Sequence, residues 1–263
     1  MSNILIIILI VILLVCVLIV AFRSSDKSIY YVTEAFNKVL GMNCSDSAVL
    51  NPNDYEWTRL FRDKWLDIRN EFLTYAKSNN IPLHKQINRI TGSCDTKNKW
   101  KTLFLKAFNV DTNLCKHFPI TKQLIDNCPC TLAFFSILEP GARLIPHVGI
   151  FKGVLRYHLG LIVPNETEKC YLNIDGKKLH WKEGSDIMFD DMFEHYAVNE
   201  TSEPRVVLFM DIQRDFSNGL INWLNKKFIQ SVRTNDALAD TIKNINDFSS
   251  SIHSQNPNQT VYQ

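Results

Sequence analysis

The sequence is organised around two short segments, Pro-His-Val-Gly at 146–149 and Phe-Asp-Asp-Met-Phe-Glu-His at 189–195. Each of their histidines, His147 and His195, is followed by an arginine on an apolar run, nine residues on in the first case and ten in the second. Neutral imidazole is the usual nitrogen ligand for iron, zinc or copper, and a redox iron site needs open positions for substrate and oxygen. Arginine is the side chain best shaped to hold a carboxylate through two parallel hydrogen bonds. The combination therefore predicts an iron site with an organic acid as co-substrate.

The chain around these segments has the pattern of a β-protein. From Thr131 onward, short runs rich in β-branched and aromatic residues are broken by turn signals. The breaks fall at Glu139-Pro140-Gly141, Pro164-Asn165, Asp175-Gly176 and Glu183-Gly184. Several strands at such short spacing predict an antiparallel sandwich or barrel.

Helical patterns lie on both sides of this region. Apolar residues recur at spacings of three and four from Trp57 to Lys77, which predicts an amphipathic helix. The segment from Lys99 to Phe108 alternates enough to predict a strand that enters the sheet. A second helix is predicted from Asp111 to Asn127, with Pro119 near a local break, and a third period of helical spacing runs from Asn222 to Phe248.

The N-terminus carries a long apolar segment, residues 4–22, without a charged or strongly polar side chain. Nineteen helical residues rise about 28 Å, which matches a hydrocarbon core of roughly 30 Å. A cleaved signal peptide is the alternative, but its apolar region is normally shorter and follows a basic start, which Met1-Ser2-Asn3 does not provide. We therefore predict a single-pass transmembrane anchor at 1–23, followed by a loosely packed tether at 24–54.

Two signals disagree about the side of the membrane on which the domain lies. Arg23 and Lys27, directly after the span, favour a cytoplasmic domain. N-glycosylation sequons favour the opposite side, although an asparagine-rich chain produces such triplets by chance. They begin at Asn43, Asn165, Asn199 and Asn258. The sequence therefore leaves the orientation open.

Charge and cysteine content exclude some classes of function. The net charge is +2 and the charges are well mixed, so no nucleic-acid partner is expected. The seven cysteines form no Cys-x-x-Cys pair, and Cys128-Pro129-Cys130 is too tightly spaced for the usual zinc knuckle. The cysteines are therefore expected to be mostly buried thiols; a disulfide is possible but nothing indicates one.

Five motifs occur in the order and approximate spacing of a known family: Phe135-Ser136-Ile137-Leu138-Glu139-Pro140-Gly141, Pro146-His147, the run at 155–161, Trp181-Lys182-Glu183-Gly184, and Phe189-Asp190-Asp191 ending at His195. On these motifs the chain resembles the aspartyl/asparaginyl β-hydroxylase family, which depends on Fe(II) and 2-oxoglutarate. Fainter similarity extends the region to 55–215. The resemblance implies a double-stranded β-helix, or jelly roll, so the expected fold is mainly β with flanking helices.

The resemblance also implies a ligand set for the iron. His147 and His195 match the two histidine ligands of the family. Most related oxygenases have a carboxylate two residues after the first histidine, whereas this family has glycine, here Gly149, and water is expected to fill the vacant position. Asp190 and Asp191 are alternative ligands, which we expect instead to orient His195 or to form a turn.

Four further residues match family positions around the co-substrate. Arg205 resembles the arginine that clamps the distal carboxylate of 2-oxoglutarate; a structural ion pair with an internal Asp or Glu is the alternative. Ser136, Arg156 and His158 match positions that line the co-substrate pocket. With O2, an enzyme of this type converts 2-oxoglutarate to succinate and hydroxylates an unactivated C–H bond.

Three functions are compatible with these residues. The first is hydroxylation of the β-carbon of Asp or Asn in a protein, and the second is hydroxylation of a lipid acyl chain; either substrate would lie near the membrane. The third is a non-catalytic binding module, which the presence of both histidines and Arg205 disfavours. After the oxygenase domain at 55–215, we predict a helical extension at 216–248 and a disordered tail at 249–263.

Overall fold

The structure, a computed structural model, describes residues 26–44, 47–88, 91–232, 242–247 and 262. The predicted anchor at 4–22 and all of the predicted tail except Tyr262 lie outside these ranges. Among the described residues, no helix is long and apolar enough to cross a membrane. The ring of Tyr262 packs 5.3 Å from that of Phe72, so at this residue the chain contacts the domain.

Within the described ranges, eleven strands form two antiparallel sheets. The larger sheet has the order β1-β9-β6-β11-β4-β2-β3, and the smaller sheet has the order β5-β10-β7-β8. The strands are β1 Val49–Leu50, β2 Trp100–Ala107, β3 Val110–Asp111, β4 Cys130–Leu138, β5 Ala142–Arg143, β6 Val154–Ile162, β7 Cys170–Ile174, β8 Lys177–His180, β9 Asp186–Phe189, β10 His195–Asn199 and β11 Arg205–Gln213.

From β4 to β11 the chain passes back and forth between the two sheets. Strands β4, β6, β9 and β11 lie in the larger sheet, and β5, β7, β8 and β10 lie in the smaller one. Eight antiparallel strands divided in this way between two facing sheets form a jelly roll. The predicted double-stranded β-helix is therefore confirmed.

The described helices are α1 Asp26–Gly41, α2 Glu56–Asp63, α3 Trp65–Ala76, α4 His84–Ile87, α5 Pro119–Asp126 and α6 Gly219–Val232, with a further helical turn at 242–247. The single helix predicted from Trp57 to Lys77 is two helices, α2 and α3, which meet at Lys64. The strand predicted from Lys99 to Phe108 is β2.

The prediction of a helix from Asp111 to Asn127 is wrong in its first half. Residue 111 ends strand β3, and a 3₁₀ turn follows at Asn113–His117. Helix α5 begins at Pro119 and is not broken there. Proline suits the first turn of a helix because its missing N–H would have no intrahelical partner at that position.

Alternation along the long strands separates apolar from polar side chains. On β4, Ala133, Phe135 and Ile137 join the core beneath helices α2, α3 and α5, whereas Phe134 and Leu138 face the space between the sheets. Successive side chains of a strand point to opposite faces. The same alternation on β4, β6 and β11 directs four polar residues into the space between the sheets: Ser136, Arg156, His158 and Arg205.

The predicted tether at 24–54 is not loosely packed. Helix α1 occupies half of it and buries Phe36 and Leu40 in a small cluster with α6. Asn37 adds two hydrogen bonds to the jelly roll, donating to the Ile150 carbonyl at 2.9 Å and accepting from the Lys152 N–H at 2.8 Å. Polar segments alternate with short apolar ones over this stretch of the sequence, which is why the sequence indicated only loose packing.

One of the glycosylation sequons, at Asn199, is buried in the folded domain. Asn199 is fully buried, and its side-chain amide donates to the carbonyls of Leu138 and Glu203, each at 2.8 Å. Its Oδ1 accepts from the Thr201 hydroxyl at 2.7 Å. A glycan on this nitrogen is incompatible with these contacts, so the Asn199 sequon gives no information about membrane orientation.

Leu40→Ala tests whether α1 belongs to the domain. Leu40 is fully buried, so truncation should lower the free energy of unfolding by about 2–4 kcal/mol through lost burial and the cavity left behind. Chemical denaturation of the full chain in detergent measures the change. Lys38→Ala is the control on the same helix, because the Lys38 side chain is 73% exposed. Equal stability of both variants would restore the interpretation of this segment as a tether.

Candidate functional site

The two predicted metal ligands lie side by side at one end of the jelly roll. The N–H of His147 donates to the His195 carbonyl at 3.0 Å, and the N–H of His195 donates back to the His147 carbonyl at 2.9 Å. Their ring centroids are 4.2 Å apart. Residues 48 positions apart in the chain are thus fixed as a pair by the backbone itself.

Both rings are held in the same tautomer. Nδ1 of His147 lies 2.8 Å from the Ile145 carbonyl, and Nδ1 of His195 lies 2.9 Å from the Phe193 carbonyl. A carbonyl only accepts, so each Nδ1 carries the proton and each Nε2 keeps its lone pair. Burial lowers the pKa of His147 and lowers that of His195 to about 3, with the charge of Arg156 adding to both effects. Two neutral imidazoles with free Nε2 lone pairs are the form that binds a metal ion.

Arg156 lies beside the histidines and is held by two carboxylates. Its Nη2 pairs with Asp191 at 2.9 Å and its Nε with Asp211 at 3.1 Å. Burial opposes the charge, but the two carboxylates raise the pKa of Arg156 above its usual value. Nη1 lies 3.5 Å from Nε2 of His195, a distance too long for a strong hydrogen bond. Arg156 thus connects the histidine pair to the larger sheet.

The Asp191 carboxylate lies directly against Gly149. A Cβ added to Gly149 would lie 2.3 Å from the Asp191 carboxyl carbon, so only glycine fits at this position. The Gly149 N–H also donates to the Asp191 carbonyl at 2.7 Å. Asp190 has the predicted turn role, since it accepts from the Met192 N–H at 3.1 Å and pairs with Lys152 at 2.7 Å.

Arg205 lies at the start of β11, and the residue is only 2% exposed. Its Nη1 donates to the Ser136 carbonyl at 3.2 Å, and its guanidinium carbon lies 4.4 Å from the centre of the Trp181 ring. Among the described side chains, no Asp or Glu pairs with it, and its Nε has no hydrogen-bond partner. Burial lowers the pKa of Arg205 to about 10, so it remains charged at neutral pH. The alternative of a structural ion pair therefore finds no partner within the described chain.

His158 lies between the two ends of the site. Its Nδ1 accepts from the Trp181 indole N–H at 3.3 Å, and its buried Nε2 has no partner in the described part of the protein. Burial lowers the pKa of His158 well below its usual value, and the charges of Arg205, Arg156 and His195 act in the same direction. The ring is therefore neutral, and its Nε2–H faces an environment that offers it no acceptor.

Two tryptophans complete the site, and the sequence analysis assigned a role to neither. The Trp100 indole N–H donates to the Ser136 hydroxyl at 3.0 Å, so this hydroxyl is free to donate its own proton. Trp181 lies against Arg205 and donates to His158. Trp181 occurs in a motif that resembles the family and Trp100 lies in the region of fainter similarity, and that was the available signal. Their partners lie 36 and 23 residues away, so the contacts could not be inferred from spacing.

Outside the motifs, the described residues include one buried histidine, His84, and six free thiols. His84 is buried and stacks on Trp100 with ring centroids 3.7 Å apart, as expected of a histidine outside the motifs. Six cysteines are free thiols, and Cys16 lies outside the described ranges. Among the described residues, no cluster of three or more His, Cys, Asp or Glu could hold a metal ion, so the histidine pair stands without a third protein ligand.

These observations define a jelly-roll protein with a paired-histidine site and a buried arginine that has no carboxylate partner among the described residues. Residues 62–215 match the family model described as aspartyl/asparaginyl β-hydroxylase, and the chain belongs to this family. Membership of a hydroxylase family supports an enzymatic role.

Two relatives illustrate the extent of the similarity. The ornithine lipid ester-linked acyl 2-hydroxylase of Rhizobium tropici is 38% identical over 151 residues, which are 56% of this chain and 54% of that protein. The human aspartyl/asparaginyl β-hydroxylase is 34% identical over 106 residues, or 38% of this chain and 14% of that protein. The chain thus spans about half of the first relative and much less of the second. A cupin 2 conserved barrel domain protein from Salinispora arenicola aligns at 12% identity with a TM-score of 0.32, over 56% of this chain and 89% of that one.

The buried neutral histidine predicts a pH dependence of stability. The pKa of His195 is about 3 in the folded protein and about 6.5 in an unfolded chain, so the unfolded state binds a proton first as the pH falls. Stability should therefore drop below pH 6.5, by about 2 kcal/mol between pH 6.5 and pH 5. Urea denaturation of the metal-free protein at both pH values measures the drop, and His195→Gln should remove this part of it. An identical pH dependence in both proteins would contradict the assignment.

Proposed function

We propose that this protein is an Fe(II)- and 2-oxoglutarate-dependent hydroxylase. The observation that carries the proposal is Arg205, a buried guanidinium without a carboxylate partner among the described residues. An unpaired buried charge is costly unless a ligand compensates it. A dicarboxylate co-substrate brings the missing anion, and the fork of the guanidinium can hold it through two hydrogen bonds.

The histidine pair fits an iron ion. Both Nδ1 atoms are committed to backbone carbonyls, both rings are neutral, and the Nε2 lone pairs of His147 and His195 are available. A set of two protein ligands leaves positions open for a co-substrate and oxygen. Bound there, iron would supply the oxidation of a C–H bond by O2, while 2-oxoglutarate is converted to succinate.

The side chains between the two ends would bind and orient the co-substrate. Arg205 would hold its distal carboxylate, on the side of the site where Trp181 excludes water. The Ser136 hydroxyl and His158 Nε2–H are donors that a carboxylate can accept from. Arg156, fixed by Asp191 and Asp211, lies next to His195 and would keep its position when the ligand binds.

Two substrate classes fit this chemistry. The expectation from the sequence was the β-carbon of Asp or Asn in a protein. The match to the ornithine lipid acyl hydroxylase is longer than the match to the human β-hydroxylase, 151 residues against 106, and this favours a lipid acyl chain. A membrane anchor at 4–22 would keep the domain near either substrate, on a side of the membrane that the sequence leaves open. Mass spectrometry of a lipid and of an Asp/Asn-containing peptide, each incubated with the full chain, Fe(II), 2-oxoglutarate and O2, would show which of them gains an oxygen atom.

Replacing either histidine tests the metal site. His147→Ala or His195→Ala should abolish Fe(II) binding under anaerobic conditions and succinate release on adding oxygen, with the fold preserved by circular dichroism. His180→Ala is the control, because His180 lies on β8 with its Nδ1 2.8 Å from the Thr167 carbonyl and away from the pair. Undiminished iron affinity in one variant would remove that histidine from the ligand set.

Arg205→Ala tests the co-substrate site. Loss of a buried charge-assisted contact typically costs about 2–5 kcal/mol, so the apparent Michaelis constant for 2-oxoglutarate should rise roughly 30-fold or more. Iron affinity should change far less. Arg143→Ala is the control, since Arg143 is exposed and pairs with Glu200 at 2.5 Å on the surface. If the constant for 2-oxoglutarate does not change, Arg205 is structural.

A further inference from the structure

The segment that carries His147 exposes a row of aliphatic side chains, Ile145, Val148 and Ile150, here called the apolar ridge. Their exposures are 42%, 50% and 79%. Residues 145–151 contain no Asp, Glu, Lys or Arg. Single exposed aliphatic residues are common on protein surfaces, but a group of them beside a functional site indicates an interaction surface.

The backbone holds the apolar ridge in place. The N–H of Ile145 donates to the Cys94 carbonyl at 3.0 Å, and Asn37 donates to the Ile150 carbonyl at 2.9 Å. Between these two points, the N–H groups of His147 and Gly149 are bonded to His195 and Asp191. The exposed side chains therefore belong to a fixed segment whose inward positions, His147 and Gly149, are used by the site.

Helix α1, which contacts this region, follows the apolar N-terminal segment in the sequence. Residues 4–22 are uncharged, and helix α1 begins only four positions later, at Asp26. The contact between Asn37 and Ile150 fixes α1 to the apolar ridge. Helix α6, which packs on α1 with the rings of Phe36 and Phe228 5.1 Å apart, adds two half-exposed apolar residues, Leu220 and Trp223.

We propose that the apolar ridge docks on the surface of a lipid bilayer, with its side chains at the boundary between headgroups and acyl chains and the mouth of the histidine site facing the membrane. A bilayer suits a ridge that is aliphatic and uncharged, because apolar burial drives such interfacial binding. A protein interface of this size would place polar groups at its edge for specificity. The purpose of the docking, access to a membrane-proximal substrate, rests on the proposed function, whereas the docking itself does not.

Quenching of tryptophan fluorescence by brominated lipids tests the proposal. The full chain, reconstituted in vesicles of phosphatidylcholine and phosphatidylglycerol with brominated acyl chains, is compared with Ile150→Trp and with Leu66→Trp. Leu66 is 52% exposed on α3, next to Trp65, which lies against Gly184. The five native tryptophans give the same background in all three proteins. Quenching of the added tryptophan should be several-fold larger at position 150 than at position 66.

Equal quenching at the two positions, or none at position 150, would overturn the proposal. Absence of quenching at position 150 would mean that the apolar ridge binds something other than lipid, such as a second copy of the chain or its own C-terminal residues. Residues 145–151 of the wild-type chain should be better protected from hydrogen exchange in vesicles than in detergent. A Val148→Glu/Ile150→Glu variant should lose this extra protection. Substrate-free succinate release in detergent is measured in parallel: its absence from the wild-type protein would refute the proposed function and leave the docking result intact.

Discussion

The buried guanidinium of Arg205 imposes the strongest constraint on this fold. A positive charge inside a jelly roll must be solvated by the protein or by a ligand, because at 2% exposure little of Arg205 is open to water. The protein supplies one carbonyl, from Ser136, and the face of one aromatic ring, from Trp181. These contacts do not satisfy all the donors of the guanidinium, since Nε is left without a partner among the described residues. The surroundings of Arg205 are therefore suited to binding an anion.

Strand alternation makes this arrangement possible without weakening the core. On β4, β6 and β11, every second side chain packs under the helices in a continuous apolar layer that contains Phe135, Tyr157 and Leu208. The intervening positions are then free to carry polar groups between the sheets. A shift of one residue in the register of β11 would exchange the two sets, placing Arg205 under the helices and Val206 in the site. The apolar layer thus fixes the orientation of the polar residues.

The sequence predicted the jelly roll, the histidine pair and the placement of Arg156 and His158 in the same site, because these follow from local patterns and from family motifs. It did not predict the other contacts between distant segments. The packing of Asp191 against Gly149 joins residues 42 positions apart, and the polarity of Asp191 gave no indication of its partner. The role of α1 was missed for a different reason: Phe36 and Leu40 are buried by α6, nearly 200 residues later, so their burial has no local signature. Packing partners of this kind are set by the tertiary fold.

The two ends of the site carry opposite charge. At the histidine end, Arg156 lies between Asp191 and Asp211, so the cluster has a net negative charge when both carboxylates are ionised. Burial raises the pKa of Asp191 to about 6, which still leaves it largely ionised at neutral pH. At the other end, Arg205 contributes an unbalanced positive charge. A cation is thus favoured beside the neutral histidines and a carboxylate is favoured beside Arg205, because each ligand meets the opposite charge. A ligand with an anionic group at one end and metal-binding oxygens at the other would therefore bind in one orientation only.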